Sequence, residues 1–221
     1  VTDYRLFAAA TGPDTSVTDG QPLNLAVEFT VNSQAWLTAL HFWRVDTTVT
    51  GSITGQVFTA PGGSAVADTD ATFSLSGTGW QTATLPAPVE LAPGTRYRLA
   101  VHFPDRWCLT ASYWSFGGAG ENGITSGPLS ALSAITAPAG QGSYAYGPAG
   151  TYPASVSANH ANYWVDVTVT DTDPGSGGLD EVSDETFGPG PLCTQWHTGR
   201  LDTSWCAGPL ATSWRPGHLS T

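Results

Sequence analysis

The sequence has no lysine and no methionine, and its only fixed cations are seven arginines. Set against 18 acidic residues, they leave a formal charge of −11. Non-specific nucleic-acid binding needs cations that displace phosphate counterions, and attraction to an anionic membrane needs the same. Arg5, Arg44, Arg96, Arg98, Arg106, Arg200 and Arg215 are scattered and form no such patch. Neither nucleic acid nor membrane is therefore expected as a partner. No segment reaches the ~20 apolar residues that a membrane-spanning helix requires. Cysteine is scarce as well. Cys108, Cys193 and Cys206 make an odd count, which is no disulfide scaffold, and whether Cys193 joins Cys206 stays open. The opening VTDYRLFAAATGP carries an early acid and no long apolar stretch, so it does not read as a signal peptide. A leader removed earlier implies secretion; loss of an initiator Met alone implies cytoplasmic synthesis.

Motifs of catalysis are also missing. There is no G-x-S-x-G elbow, no H-E-x-x-H, no phosphate-binding G-x-x-x-x-G-K and no Cys/His spacing suited to zinc. His41, His102 and His160 stand apart from one another in the sequence. The chain is read as non-enzymatic, with no catalytic residue, metal site or cofactor.

What the sequence does have is glycine (26), proline (16) and many β-branched and aromatic residues. Such a mixture punctuates short strands and disfavours long helices. Leu23, Leu25, Val27 and Phe29 alternate along one strand, and Tyr97, Leu99, Val101 and Phe103 along another. Arg96, Arg98 and His102 take the opposite face of that second strand. Trp36–Arg44, Ser52–Thr59, Ala71–Ser76, Trp80–Leu85 and Tyr163–Thr170 read as further strands, with Pro86 and Pro88 limiting pairing after Leu85. Residues 115–153 are rich in glycine and predict loops with short β segments, plus one helical turn near 129–135. The expected fold is all-β, a jelly-roll-like β-sandwich over 1–170. An acidic, glycine-rich linker follows over 171–185, and an extended repeat arm over 186–221.

That arm divides as GPLCTQWHT, GRLDTSWCA, GPLATSWRP and GHLST, a strict period of nine. Leu, Thr and Trp stand two apart in each unit, so they share one face when the unit is extended. Three exposed Trp would leave of order 500 Å² of apolar surface in water. Covering it at ~25 cal/mol per Å² gives about 12 kcal/mol before ordering costs, enough for an anchor. Leu192, Trp196, Leu201, Trp205, Leu210 and Trp214 are the anchor candidates. Elsewhere Trp107, Tyr113 and Trp114 crowd one stretch of sequence near Asn122. Aromatic rings stack on sugar faces, so these four are candidates for binding a glycan, with core packing as the competing use.

Several segments carry a resemblance. PLNLAVEFT at 22–30, LHFWR at 40–44, GWQT at 79–82 and LAPGTRY at 91–97 follow in order, then SGPL at 126–129, YAYG at 144–147 and NYWVDV at 162–167. Residues 4–170 resemble the DUF4082 family of bacterial β-sandwich domains. The resemblance implies an accessory module found beside secreted carbohydrate-active or cell-surface proteins, and it implies no catalytic set. The nonapeptide repeat resembles short Trp/Gly/Thr repeats of tailed-phage structural proteins. That second resemblance implies a virion component, a capsid decoration, head fibre or tail part. Its arm would hold a phage capsid or tail protein, and its sandwich would project toward host-surface glycans. A homo-oligomer is expected, a trimer above other states. The alternative is a secreted carbohydrate-binding or cell-surface accessory module.

The arm reading gives a direct test. A chain ending at Thr170 should keep the melting temperature of the domain and lose attachment to its partner. Trp205→Ala should cost about 2–4 kcal/mol of attachment. Calorimetry and retention on the oligomer or particle measure the two effects; a shortened chain that fails to fold would place the repeat in the core.

Overall fold

The computed structural model describes residues 1–221 apart from 8, 9, 11, 14, 15, 138, 139, 176–191, 198, 199 and 206–221. The chain divides into two units, Val1–Gly178 and Leu179–Thr221. In the first unit the strands run β1 (Asp3–Tyr4), β2 (Val17–Thr18), β3 (Leu23–Val31), β4 (Ala35–Arg44), β5 (Thr54–Ala60), β6 (Ala71–Thr72) and β7 (Gly79–Leu91). They continue as β8 (Arg96–Phe103), β9 (Arg106–Trp107), β10 (Ile124–Ser126), β11 (Leu129–Ala131), β12 (Ser143–Tyr146), β13 (Ser155–Val156) and β14 (Val165–Thr170). One sheet has the order β1-β14-β4-β7. The other has the order β10-β11-β3-β8-β5-β6, with β12 also on β3 and β13 on β12. Every pairing is antiparallel, and the two sheets pack in the manner of a β-sandwich.

The alternation read from sequence places the core. Leu25 lies opposite Val101, Val27 opposite Leu99 and Phe29 opposite Tyr97. All six are buried. From the other sheet Leu40 and Phe42 point inward. Phe42 meets Phe103 edge-on at 5.4 Å and Phe73 at 4.9 Å. Gly55 is needed where β5 passes Leu40, since a Cβ there would sit 2.8 Å from Leu40 Cδ1.

Three expectations need correction. Leu129–Ala131 pairs with β10 and β3 as a strand, and residues 134–136 form a turn, so the 129–135 stretch is not helical. Pairing to β3 supplies hydrogen bonds that a lone helical turn could not retain. The strand expected from 80 to 85 extends to Leu91, through both prolines. The register explains this: Leu37 faces Val89 and Ala39 faces Thr84, so Pro86 and Pro88 fall in a bulge on an edge strand. Ala71–Ser76 shrinks to the two residues of β6.

The outer faces are covered too. Asp166 accepts the backbone N–H groups of Leu6 (3.0 Å), Phe7 (2.9 Å) and Val167 (2.8 Å), and Arg5 Nε at 3.3 Å. Arg5 also lies over the Trp80 ring at 4.5 Å. Burial raises the Asp166 pKa, and the Arg5 charge and the backbone donors pull it back. This carboxylate holds the N-terminal segment onto the outside of β14. Trp43 and Trp80 reinforce the contact by donating their indole N–H groups to Pro13 O and Ala10 O, each at 3.0 Å.

In the second unit β15 (Leu192–His197) pairs antiparallel with β16 (Arg200–Trp205). Leu192 lies opposite Trp205, Thr194 opposite Thr203 and Trp196 opposite Leu201. One nonapeptide unit thus pairs with the next, with Leu, Thr and Trp positions of one opposite Trp, Thr and Leu positions of the other. Leu210, Trp214 and Cys206 lie outside the described residues.

His41 is buried on β4, its Nδ1 2.9 Å from Thr82 Oγ1 and its Nε2 2.6 Å from Thr168 Oγ1. Burial, aided by the Arg5 charge, lowers its pKa from 6.5 to about 3. Below pH 6.5 the unfolded chain takes up a proton that the folded protein refuses until about pH 3. Stability should fall across that window by up to ~1.4 kcal/mol per pH unit from this group. Urea midpoints between pH 7 and 4 should show the slope, and His41→Gln should flatten it.

Candidate functional site

Strand β12 adds to the N-terminal half of β3, with Tyr144 opposite Leu25 and Tyr146 opposite Leu23. In an antiparallel pair, opposed residues share a face. Tyr144 and Tyr146 therefore extend the apolar inner face of the larger sheet. Here that face meets a groove of about 460 Å³. Leu23 and Leu25 line it together with Tyr144 and Tyr146, and Trp107, Leu109 and Tyr163 add further apolar surface. Asp19, Ser157 and Asn159 supply its polar atoms.

The wall at 157–163 is tied down from several directions. Ser157 N donates to Gly142 O at 2.9 Å, Ser112 N to Asn159 O at 2.8 Å, and Thr110 and Asn162 exchange backbone bonds of 2.9 and 3.0 Å. Trp164 takes a left-handed φ of 54°, which Asn162 Oδ1 secures by accepting its N–H at 2.9 Å. This turn brings Tyr163 to the groove and sends the Trp164 ring into the core, where its Nε1 donates to Thr110 Oγ1 at 2.9 Å.

The rings stand in two orientations. Tyr144 and Tyr146 meet edge-on, their centroids 5.9 Å apart and planes at 79°. Tyr146 is 49% exposed and donates its hydroxyl to Asp19 Oδ2. That bond, before any effect of burial, raises the Tyr146 pKa. Burial raises the Tyr163 pKa, while a hydrogen bond with Ser157 lowers it. The groove therefore presents phenol hydroxyls, one amide and one carboxyl group. Among the described residues its lining holds no Lys, Arg, His or Cys. Such a surface can stack on an apolar ring face and exchange hydrogen bonds with hydroxyls.

The four residues read from sequence as glycan candidates do not form one face. Trp107 lines the groove, although it is 7% exposed and its Nε1 is buried without a partner. Trp114 is 1% exposed and belongs to the core. Tyr113 packs against it at 5.0 Å and against Trp164 at 5.7 Å, with Phe7 6.0–6.1 Å from both Tyr113 and Trp114. Tyr113 is half-buried beside a separate hollow under Phe116, and Asn122 is exposed and lies on neither. Core packing takes Trp114 because the N-terminal segment brings Phe7 onto it. Sequence reading missed Asp19, Tyr144, Tyr146, Asn159 and Tyr163. The alternation Tyr144-Ala145-Tyr146 was the available signal, two rings on one face of a strand. Cys108 is a buried free thiol, its pKa pushed up to about 12 by burial and then by Asp46.

A family model described as a domain of unknown function, DUF4082, matches residues 9–165. The chain belongs to the DUF4082 family. Every residue lining the groove falls inside the matched span, while the nonapeptide repeat falls outside it. A search of curated proteins finds no similar one. The resemblance of the repeat to phage sequences thus gains nothing from these comparisons.

The two kinds of aromatic should separate on substitution. Trp114→Ala should destabilise the DUF4082 domain by about 3–5 kcal/mol, as for other buried large-to-small changes. Tyr146→Ala should stay within about 0.5–1 kcal/mol, as expected of a largely exposed side chain. Chemical denaturation of the two variants measures both.

Proposed function

We propose that the DUF4082 domain is a non-enzymatic, glycan-binding accessory module of a secreted or cell-surface protein, and that the β12 groove is its binding site. One observation carries the reading. An aromatic strip from Tyr144, Tyr146 and Tyr163 lies beside Asp19 and Asn159, over a leucine floor. The C–H face of a pyranose is apolar and its rim is hydroxylated, so it suits this combination of ring faces and polar atoms. The anchored wall at 157–163 limits the ordering cost of binding. The finer architecture in this reading is jelly-roll-like, with the groove at one open end.

The C-terminal unit is the attachment arm in this proposal. Its ribbon sets Leu and Trp positions of two repeat units in register. That pairing also favours a second reading, in which the chain is a virion component whose arm grips a capsid or tail protein and whose domain faces host glycans. Both readings use the same groove, and both allow a homo-oligomer.

A glycan array followed by titration calorimetry tests the shared part. Binding is expected at micromolar to millimolar Kd, about −4 to −8 kcal/mol. Tyr144→Ala and Tyr146→Ala should each weaken it about tenfold, ~1.4 kcal/mol. Tyr113→Ala should leave it unchanged. No binding by a folded protein, or loss through Tyr113 alone, would remove the groove from the proposal.

A further inference from the structure

The groove has an electrical polarity that a generic sugar site would not need. Among the described residues its lining contains one acidic side chain, Asp19, and no basic one. Asp19 is exposed and makes no ion pair among the described residues. The tip that carries it is braced. Gly20 N donates to Thr18 Oγ1 at 3.1 Å, and Thr18 Oγ1 donates to Asp105 Oδ1 at 2.6 Å. Asp105 thereby fixes Thr18, the residue before Asp19. β2 and β9 pair as a separate two-stranded ribbon, in which Arg106 lies opposite Thr18. It adjoins Trp107 on β9, and successive strand residues point to opposite sides. With Trp107 on the groove, Arg106 turns away, to Ser16 Oγ at 3.2 Å and Asp105 at 3.9 Å. Among the described residues the Asp19 carboxyl thus has no cationic partner at the groove mouth. Tyr146 bonds Oδ2, and among the described residues no donor bonds Oδ1, which leaves it for a donor from a ligand.

We propose that Asp19 makes this groove selective for cationic amino sugars, chains of 2-amino-2-deoxy pyranose with free ammonium groups. The inference rests on the glycan reading of the groove. A ring stacked on Tyr144 or Tyr146 brings its equatorial substituents to the rim. An ammonium there donates to Asp19 Oδ1. An N-acetyl group in its place offers one neutral N–H. A uronate carboxylate meets Asp19 with like charge. The net charge of −11 steers the same cationic chains toward the protein, more strongly at low salt. Long-range attraction alone would not distinguish Asp19 from any other acid, and the test turns on that difference.

The experiment titrates the full chain at low ionic strength with three tetramers: β-1,4-linked glucosamine, its fully N-acetylated form, and galacturonate. The glucosamine tetramer should bind about fivefold tighter than the acetylated one, the upper range for an exposed charge pair, and galacturonate should bind weakest. Asp19→Asn should abolish the preference, so that glucosamine and its acetylated form bind alike. Asp68→Asn removes the same charge from an exposed turn outside the groove, at a φ of 60° that Asn tolerates, and should preserve the preference. Equal loss of preference in Asp68→Asn, an unaltered preference in Asp19→Asn, or galacturonate binding as tightly as glucosamine would each overturn the selectivity while glycan binding stands. Failure of all three tetramers to bind the folded chain would overturn the glycan reading and the selectivity together.

Discussion

Glu28, in the middle of β3, is where the larger sheet is held together on its outer side. Glu28 is 3% exposed, and its carboxylate accepts Arg98 Nε at 2.9 Å and Arg96 Nη1 at 3.0 Å. Arg98 in turn donates to Pro153 O at 2.5 Å and lies 5.3 Å from the Tyr152 ring centroid. The Glu28 backbone also lacks a strand partner on its free side, because β11 pairs at Thr30 and Val31 and β12 at 23–26. Gln141 fills the gap, accepting Glu28 N at 3.0 Å and donating to Glu28 O at 2.6 Å. A buried pair of this kind adds little over an apolar one, but losing one partner costs about 3–5 kcal/mol. Its effect is specificity. Gln141 sets where β12 begins, two residues later, and so sets the register of Tyr144 and Tyr146.

The groove follows from that register. β3 has two short neighbours in series on one edge, and the second carries its tyrosines on the inner face of the sheet. There they line a groove beside segments 107–109 and 157–163. At the smaller sheet the opposite happens. Asp166 draws the N-terminal segment over the outside of β14, and Phe7 completes an aromatic cluster with Trp80, Tyr113, Trp114 and Trp164. Aromatics similar in sequence thus have different fates, decided by which segment lies over them. Function is then a property of the site and not of the sandwich, an architecture that hosts many unrelated activities.

Much of the fold was legible from local pattern. The period-two faces of 23–29 and 97–103, the all-β class and the period of nine are written in residue spacing, and pleating alone turns spacing into faces. So is the shared face of Tyr144 and Tyr146. Other features depend on contacts distant in sequence. Arg98 read as an outward residue because its strand alternates, and it is buried because residues 141–153 return across that face. Pro86 and Pro88 read as a strand end, and tertiary pairing makes them a bulge within one. Trp114 read as core or as a ligand contact, and the N-terminal segment buries it. Alternation states which side of a strand a residue occupies. Only the packed structure decides whether that side meets core, covering loop or open groove, because burial is set by segments far away in sequence.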